Sequence, residues 1–173
     1  MTQPDLQGDL HGLSFDVAKS MRYHLYRRKW WDGWNRANRI TGALSGSAVV
    51  VGTFASNKIV TAIAGLIVAI ISICDLVFDF SDRARHADDL YRQFSAMAQE
   101  IAGITTPTEG QLAQLRQRRL KIEMEEGPTL DLLERRCSRE EALARGLPVD
   151  NAWELSVRER RLAQFIFWTP AHR

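Results

Sequence analysis

Two carboxylates stand at the end of the most apolar stretch of this chain, IVTAIAGLIVAIISICDLVFDF, Ile59 to Phe80. Asp75 and Asp79 are four residues apart, so a helix carries them on one face. About sixteen uncharged residues precede them. Carboxylates in such surroundings can line a polar path or hold an ion inside a bilayer. They can also pair with arginines where a helix leaves it, and Arg36 and Arg39 lie at the matching place on the preceding segment. The sequence leaves both readings open, and Asp75 is the deeper of the two.

No other residues form an enzyme constellation. His11, His24, His86 and His172 are scattered. His86 with Asp88 and Asp89 has the composition of a metal cluster, but RARHADDL reads more simply as a solvated helix face. Glu123, Glu125 and Glu126 follow RQRRLK and are expected to pair with it. There is no P-loop, no GxGxxG and no GxSxG. Cys74 and Cys137 make no metal spacing and no disulfide framework, so both are expected to be reduced thiols. No catalytic residue, metal or cofactor is expected, and the chain is not read as an enzyme.

The elements that position the aspartates follow from the distribution of charge. Of 173 residues, 25% are charged and 45% apolar. The mean hydropathy of −0.25 hides a segregation, because Ile40 to Cys74 contains a single charge, Lys58. An uncharged run precedes it, and the apolar stretch that ends in the two aspartates follows it. Ile40 to Ser56 spans roughly 25 Å as a helix and Ile59 to Phe80 roughly 33 Å, against a hydrocarbon core of about 30 Å. With only Asn57 and Lys58 between them, the two form an antiparallel transmembrane hairpin over 40–80. Gly42, Gly46, Ala48 and Gly52 supply GxxxG and AxxxG spacing for close helix packing in lipid. Two core helices of a soluble bundle are the alternative, but few amphipathic helices remain to cover them.

Bases cluster before the first run and after the second, which puts both termini in the cytoplasm. Trp30, Trp31 and Trp34 precede the first run and serve either as an interfacial belt or as packing against the helix after the second. The N-terminal twenty residues lack a signal-peptide core. Residues 1–13, with Pro4, Gly8 and Gly12, read as disordered. Ser14 is placed to cap a long amphipathic helix over 14–39. Residues 81–147 read as cytoplasmic helices: one continuing the second span through Leu90, Phe94, Met97 and Ile101, one opened by Thr108 and carrying Leu112, Leu115, Leu120 and Ile122, and one stopped by Gly146. Residues 148–173 read as a C-terminal amphipathic helix. The fold class is all-α. The net charge of +2 gives no reason to expect nucleic-acid binding.

The order of these features resembles the SLATT family of two-transmembrane effector domains. The resemblance covers roughly 14–147, from RYHLYRRKWW through the two runs to ADDLYRQFSAMAQEI, RRLKIEMEEGP and EEALARGL. It implies a bacterial inner-membrane effector of conflict systems that self-associates and permeabilises the membrane when a partner senses invasion. The chain departs from the family in carrying no sensor domain, so a separate sensor protein or nucleotide signal would activate it. The expected partners are therefore the lipid bilayer, further copies of the chain and that sensor. A non-conducting anchor whose cytoplasmic helices dock a partner protein is the alternative.

Overall fold

The computed structural model describes residues 5–45, 58–149, 156, 159, 163 and 164; of these, the side chains of 44, 45, 58 and 78 are not described. The described residues form five α-helices and no strand. They are α1 (Leu6–Ser45), α2 (Lys58–Phe78), α3 (Phe80–Ala102), α4 (Glu109–Glu123) and α5 (Asp131–Ala144). They divide into two compact units, residues 28–86 and the remainder, 1–27 with 87–173.

In the second of these, apolar residues at helical spacing converge from three elements. Leu10, Leu13 and Val17 of α1 meet Leu90, Phe94, Met97 and Ile101 of α3 and Leu112, Leu115 and Ile122 of α4. Phe94 and Met97 are fully buried, each contributing roughly 1.5–3 kcal/mol of transfer free energy. A further cluster joins Tyr23 of α1 to Leu130, Leu132, Leu133 and Cys137 at α5, with Ala163. The first part of α1 thus buries two faces, which explains why its sequence shows no single apolar stripe.

Local signals set the ends. Thr108 and Gln111 form a capping box at α4: the Thr108 hydroxyl accepts from the Gln111 N–H and the Gln111 side chain accepts from the Thr108 N–H. Gly146 takes φ +69° after α5, and the Leu147 N–H donates to the Ala142 carbonyl across it.

Three expectations are corrected. Residues 6–13 are helical, not disordered. The Asp5 carboxylate accepts from the Gly8 N–H at 2.9 Å, and burial of Leu10 and Leu13 outweighs the cost of Gly8 and Gly12. Ser14 therefore lies inside α1, where its hydroxyl accepts from Arg145. The helix through Phe80 is also not continuous, because it breaks at Asp79. Finally, Leu120 is 60% exposed and outside the core.

Residues 28–86 hold the later part of α1, all of α2 and the start of α3. The first apolar run continues α1 as far as Ser45. Its remainder and the turn, 46–57, lie outside the described residues, and so do Gly46, Ala48 and Gly52. Most of the C-terminal segment over 148–173 lies outside them too.

Candidate membrane segment and its charged edge

Among the described residues, one helix is long and apolar enough to cross a membrane. It covers Ile59–Val77, 19 residues, none of them buried. Ile59, Leu66, Ile73 and Leu76 are 60–86% exposed. Val68, Ile71, Cys74 and Asp75 are half-buried along one face, and the other described residues from Ile59 to Val77 are exposed, whereas the clusters around Phe94 and Leu133 are closed.

The corner itself is built from aromatic stacking. Phe80 is buried, with Trp31 and Trp34 stacked on it at 5.8 Å each. The Arg83 guanidinium lies 5.4 Å from the Trp31 ring centre. Trp30 meets Trp34 edge-on at 5.9 Å. Trp31 and Trp34 thus pack against the helix after the apolar segment, while Trp34 keeps 42% of its surface exposed. Trp31 beside Arg83 and Trp34 beside Phe80 make the two helices antiparallel here.

Asp79 is the hinge of the corner. It has φ 43°, left-handed backbone that costs an L-residue about 1–2 kcal/mol. Its amide still donates to the Asp75 carbonyl and its carbonyl accepts from the Arg83 N–H. Its carboxylate accepts from the Asp82 N–H at 3.2 Å, capping the first turn of α3. Asp75 is half-buried beside half-buried Cys74. The Trp34–Phe80 contact sets the register. Arg39 lies five residues beyond it on α1, about 7.5 Å along that helix, and Asp75 five residues before it, across the break at Asp79. Among the described residues, however, Asp75 and Asp79 form no ion pair with Arg36, Arg39 or any other cation. Gly42 is exposed, and an added Cβ there meets nothing within 4 Å.

Arg28 pairs with Asp32 at 3.6 Å within residues 28–86, and the charge pairs that follow fasten the other unit. The Glu141 carboxylate accepts from Arg22 at 2.8 Å and from Arg145 at 2.7 Å. Burial pushes its pKa up, but hydrogen bonds from Arg145 and Arg22 outweigh this and hold it below the ordinary carboxylate value. Lys19 pairs with Glu134 and Arg119 with both Asp16 and Glu123. Tyr26 donates to Glu140 while the Arg136 guanidinium lies over its ring. Glu123 thus pairs inside α4 as its spacing suggests, and Asp88 pairs with Arg92. Glu126, expected to join the arginines of α4, meets His24 at 2.9 Å instead. His24 is buried and stacked on Phe94. Burial pushes the Cys137 thiol up to about 12. Sequence spacing could reveal the i,i+4 half of Glu141, its pair with Arg145, but not Arg22, more than a hundred residues away. Among the described residues no three His, Cys, Asp or Glu side chains gather as a metal site. No protein-family model, curated protein or solved structure matches the chain.

Proposed function

We propose that the chain is a membrane-embedded effector of a bacterial anti-phage system that self-associates and permeabilises the inner membrane once a partner or nucleotide signal activates it. The observation that carries the membrane part is the 19-residue span Ile59–Val77 of α2, apolar up to Asp75 and with none of its residues buried, in a chain whose other helices bury an apolar face in the clusters around Phe94 and Leu133. An apolar surface of that length matches a bilayer core better than water. The two-span hairpin, with both termini in the cytoplasm, follows from the second uncharged run and the flanking bases. The effector part rests on the SLATT resemblance. Assembly would use the small-residue face of Gly42, Gly46, Ala48 and Gly52, and Asp75 would line the path when hairpins assemble.

The test is membrane potential in cells expressing the chain alone and with its neighbouring gene product, read with a voltage-sensitive dye. Depolarisation that Asp75→Asn alters supports both the effector and the lining role. Recovery of the chain in the cytosolic fraction would refute the membrane reading. The second reading, a non-conducting anchor, is favoured by Leu120 and Met124, four residues apart and 60% and 85% exposed, a surface suited to a partner. It predicts co-purification with that partner at unchanged membrane potential.

A further inference from the structure

The two units treat their cations differently. Outside residues 28–86, Lys19, Arg22, Arg92, Arg116, Arg118, Arg119, Arg136 and Arg145 all meet carboxylates of the same chain within 4.0 Å. Within 28–86, Arg28 meets Asp32 at 3.6 Å, but Lys29, Arg36, Arg39 and Arg85 are exposed and, among the described residues, have no carboxylate within 4.0 Å. The totals agree. Residues 28–86 contain seven Lys and Arg against four Asp, and the rest of the chain sixteen against seventeen Asp and Glu. The excess of positive charge belongs to the unit that carries the uncovered apolar helix.

Its placement is specific. The antiparallel contacts of Trp31 with Arg83 and Trp34 with Phe80 bring Lys29 and Arg85 to one side of the aromatic corner. Arg36 and Arg39 lie on the other side, towards the apolar segment. From Lys29 to Arg39 is about 15 Å of helix, and the half-exposed Trp34 lies between them. An apolar helix, an aromatic ring at its end and unpaired cations around that ring match the layers of a bilayer leaflet whose headgroups are anionic. Carboxylates of a protein partner would satisfy the cations equally well, but would leave the adjoining apolar helix uncovered.

We propose that this corner selects anionic phospholipid headgroups, through Lys29, Arg36, Arg39 and Arg85. The inference rests on the membrane reading and adds the lipid class that the membrane must supply. A basic residue at an anionic surface contributes about five-fold in association. The test uses the full chain reconstituted in phosphatidylcholine vesicles. Dibrominated phosphatidylglycerol and dibrominated phosphatidylcholine are compared as quenchers of tryptophan fluorescence. The anionic probe should associate at least about five-fold more strongly. That preference should fall towards unity in 0.5 M NaCl and in an R36Q/R39Q variant, whose substitutions are at exposed sites. Equal quenching by both lipids overturns the headgroup inference and leaves the membrane reading standing. Quenching by neither lipid overturns the membrane reading itself.

Discussion

Replacing Glu141 by glutamine tests whether charge, rather than shape, fastens α1 to α5. Glu141 is 7% exposed at its side chain and lies between Arg145 at 2.7 Å and Arg22 at 2.8 Å. Arg145 is 18% exposed, so its charged hydrogen bond falls in the range of about 1.5–3 kcal/mol. Arg22 is 38% exposed, and solvent screening reduces its share to about 0.2–1 kcal/mol. Glutamine keeps the shape and recovers some desolvation cost, so the expected net loss is about 2 kcal/mol. Cys137 provides the readout, because it is fully buried on α5. In a Cys74→Ser background at neutral pH, alkylation of Cys137 requires α5 to open, and the loss should accelerate it roughly 30-fold. A change below about three-fold would refute the assignment.

The pH dependence separates charge from packing. The folded-state pKa of Glu141 lies below its ordinary value of 4.5. Its contribution is therefore present above that value and disappears as pH falls through the lowered one. The deficit of Glu141→Gln in thermal melts should be largest near neutrality and vanish at the acid end. A deficit independent of pH would assign the effect to packing.

Three further substitutions test the hinge, the buried pair and the aromatic corner. At Asp79, asparagine should be neutral and glycine should lose only a few tenths of a kcal/mol. Alanine should lose about 2 kcal/mol, because it keeps the left-handed strain and loses the cap; equal stability of Asn and Ala variants in denaturant titration would sink the hinge argument. His24→Leu leaves the Glu126 carboxylate, 15% exposed, without its partner and should cost about 2–4 kcal/mol, and a midpoint unchanged in urea would exclude a structural role for the pair. Phe80→Ala removes the ring between Trp31 and Trp34, should cost about 3 kcal/mol and should shift tryptophan emission; an unaltered spectrum would mean the stacking is not populated.

The sequence made the helices legible where one face is buried and one cap is local. Leu90, Phe94, Met97 and Ile101 form a single stripe and all are buried. Thr108 and Gly146 carry their cap chemistry in the residue itself. The glycines of residues 6–13 point to disorder only because the sequence does not display the partner surface that Leu10 and Leu13 find on α3 and α4. Asp79 gives only a weak signal for the break, since aspartate adopts left-handed backbone far less readily than glycine. His24 with Glu126 and Arg22 with Glu141 join residues over a hundred positions apart, and no spacing rule reaches that far. The same applies to the aspartates at the apolar edge: helical spacing gives their face and level, but not whether a guanidinium reaches them.

Asp75 links the lipid argument to the packing argument. Leaving Ile63, Leu66, Ile67, Ile70 and Ile73 about half exposed forgoes roughly 1–2 kcal/mol each relative to full burial, so an apolar cover would stabilise α2. A dry protein shell enclosing the whole helix would also enclose Asp75, which has no ion pair among the described residues. An unpaired carboxylate enclosed in that way costs several kcal/mol. A bilayer whose edge falls between Ile73 and Asp75 avoids that cost. There the apolar turns from Ile59 to Ile73 meet lipid, while the carboxylate is within reach of the headgroup layer and its water. The charge that ends the apolar run thus favours lipid over a closed protein interface as the cover for α2. If copies of the chain do associate through it, the Asp75 side chains must face a hydrated space rather than the contact.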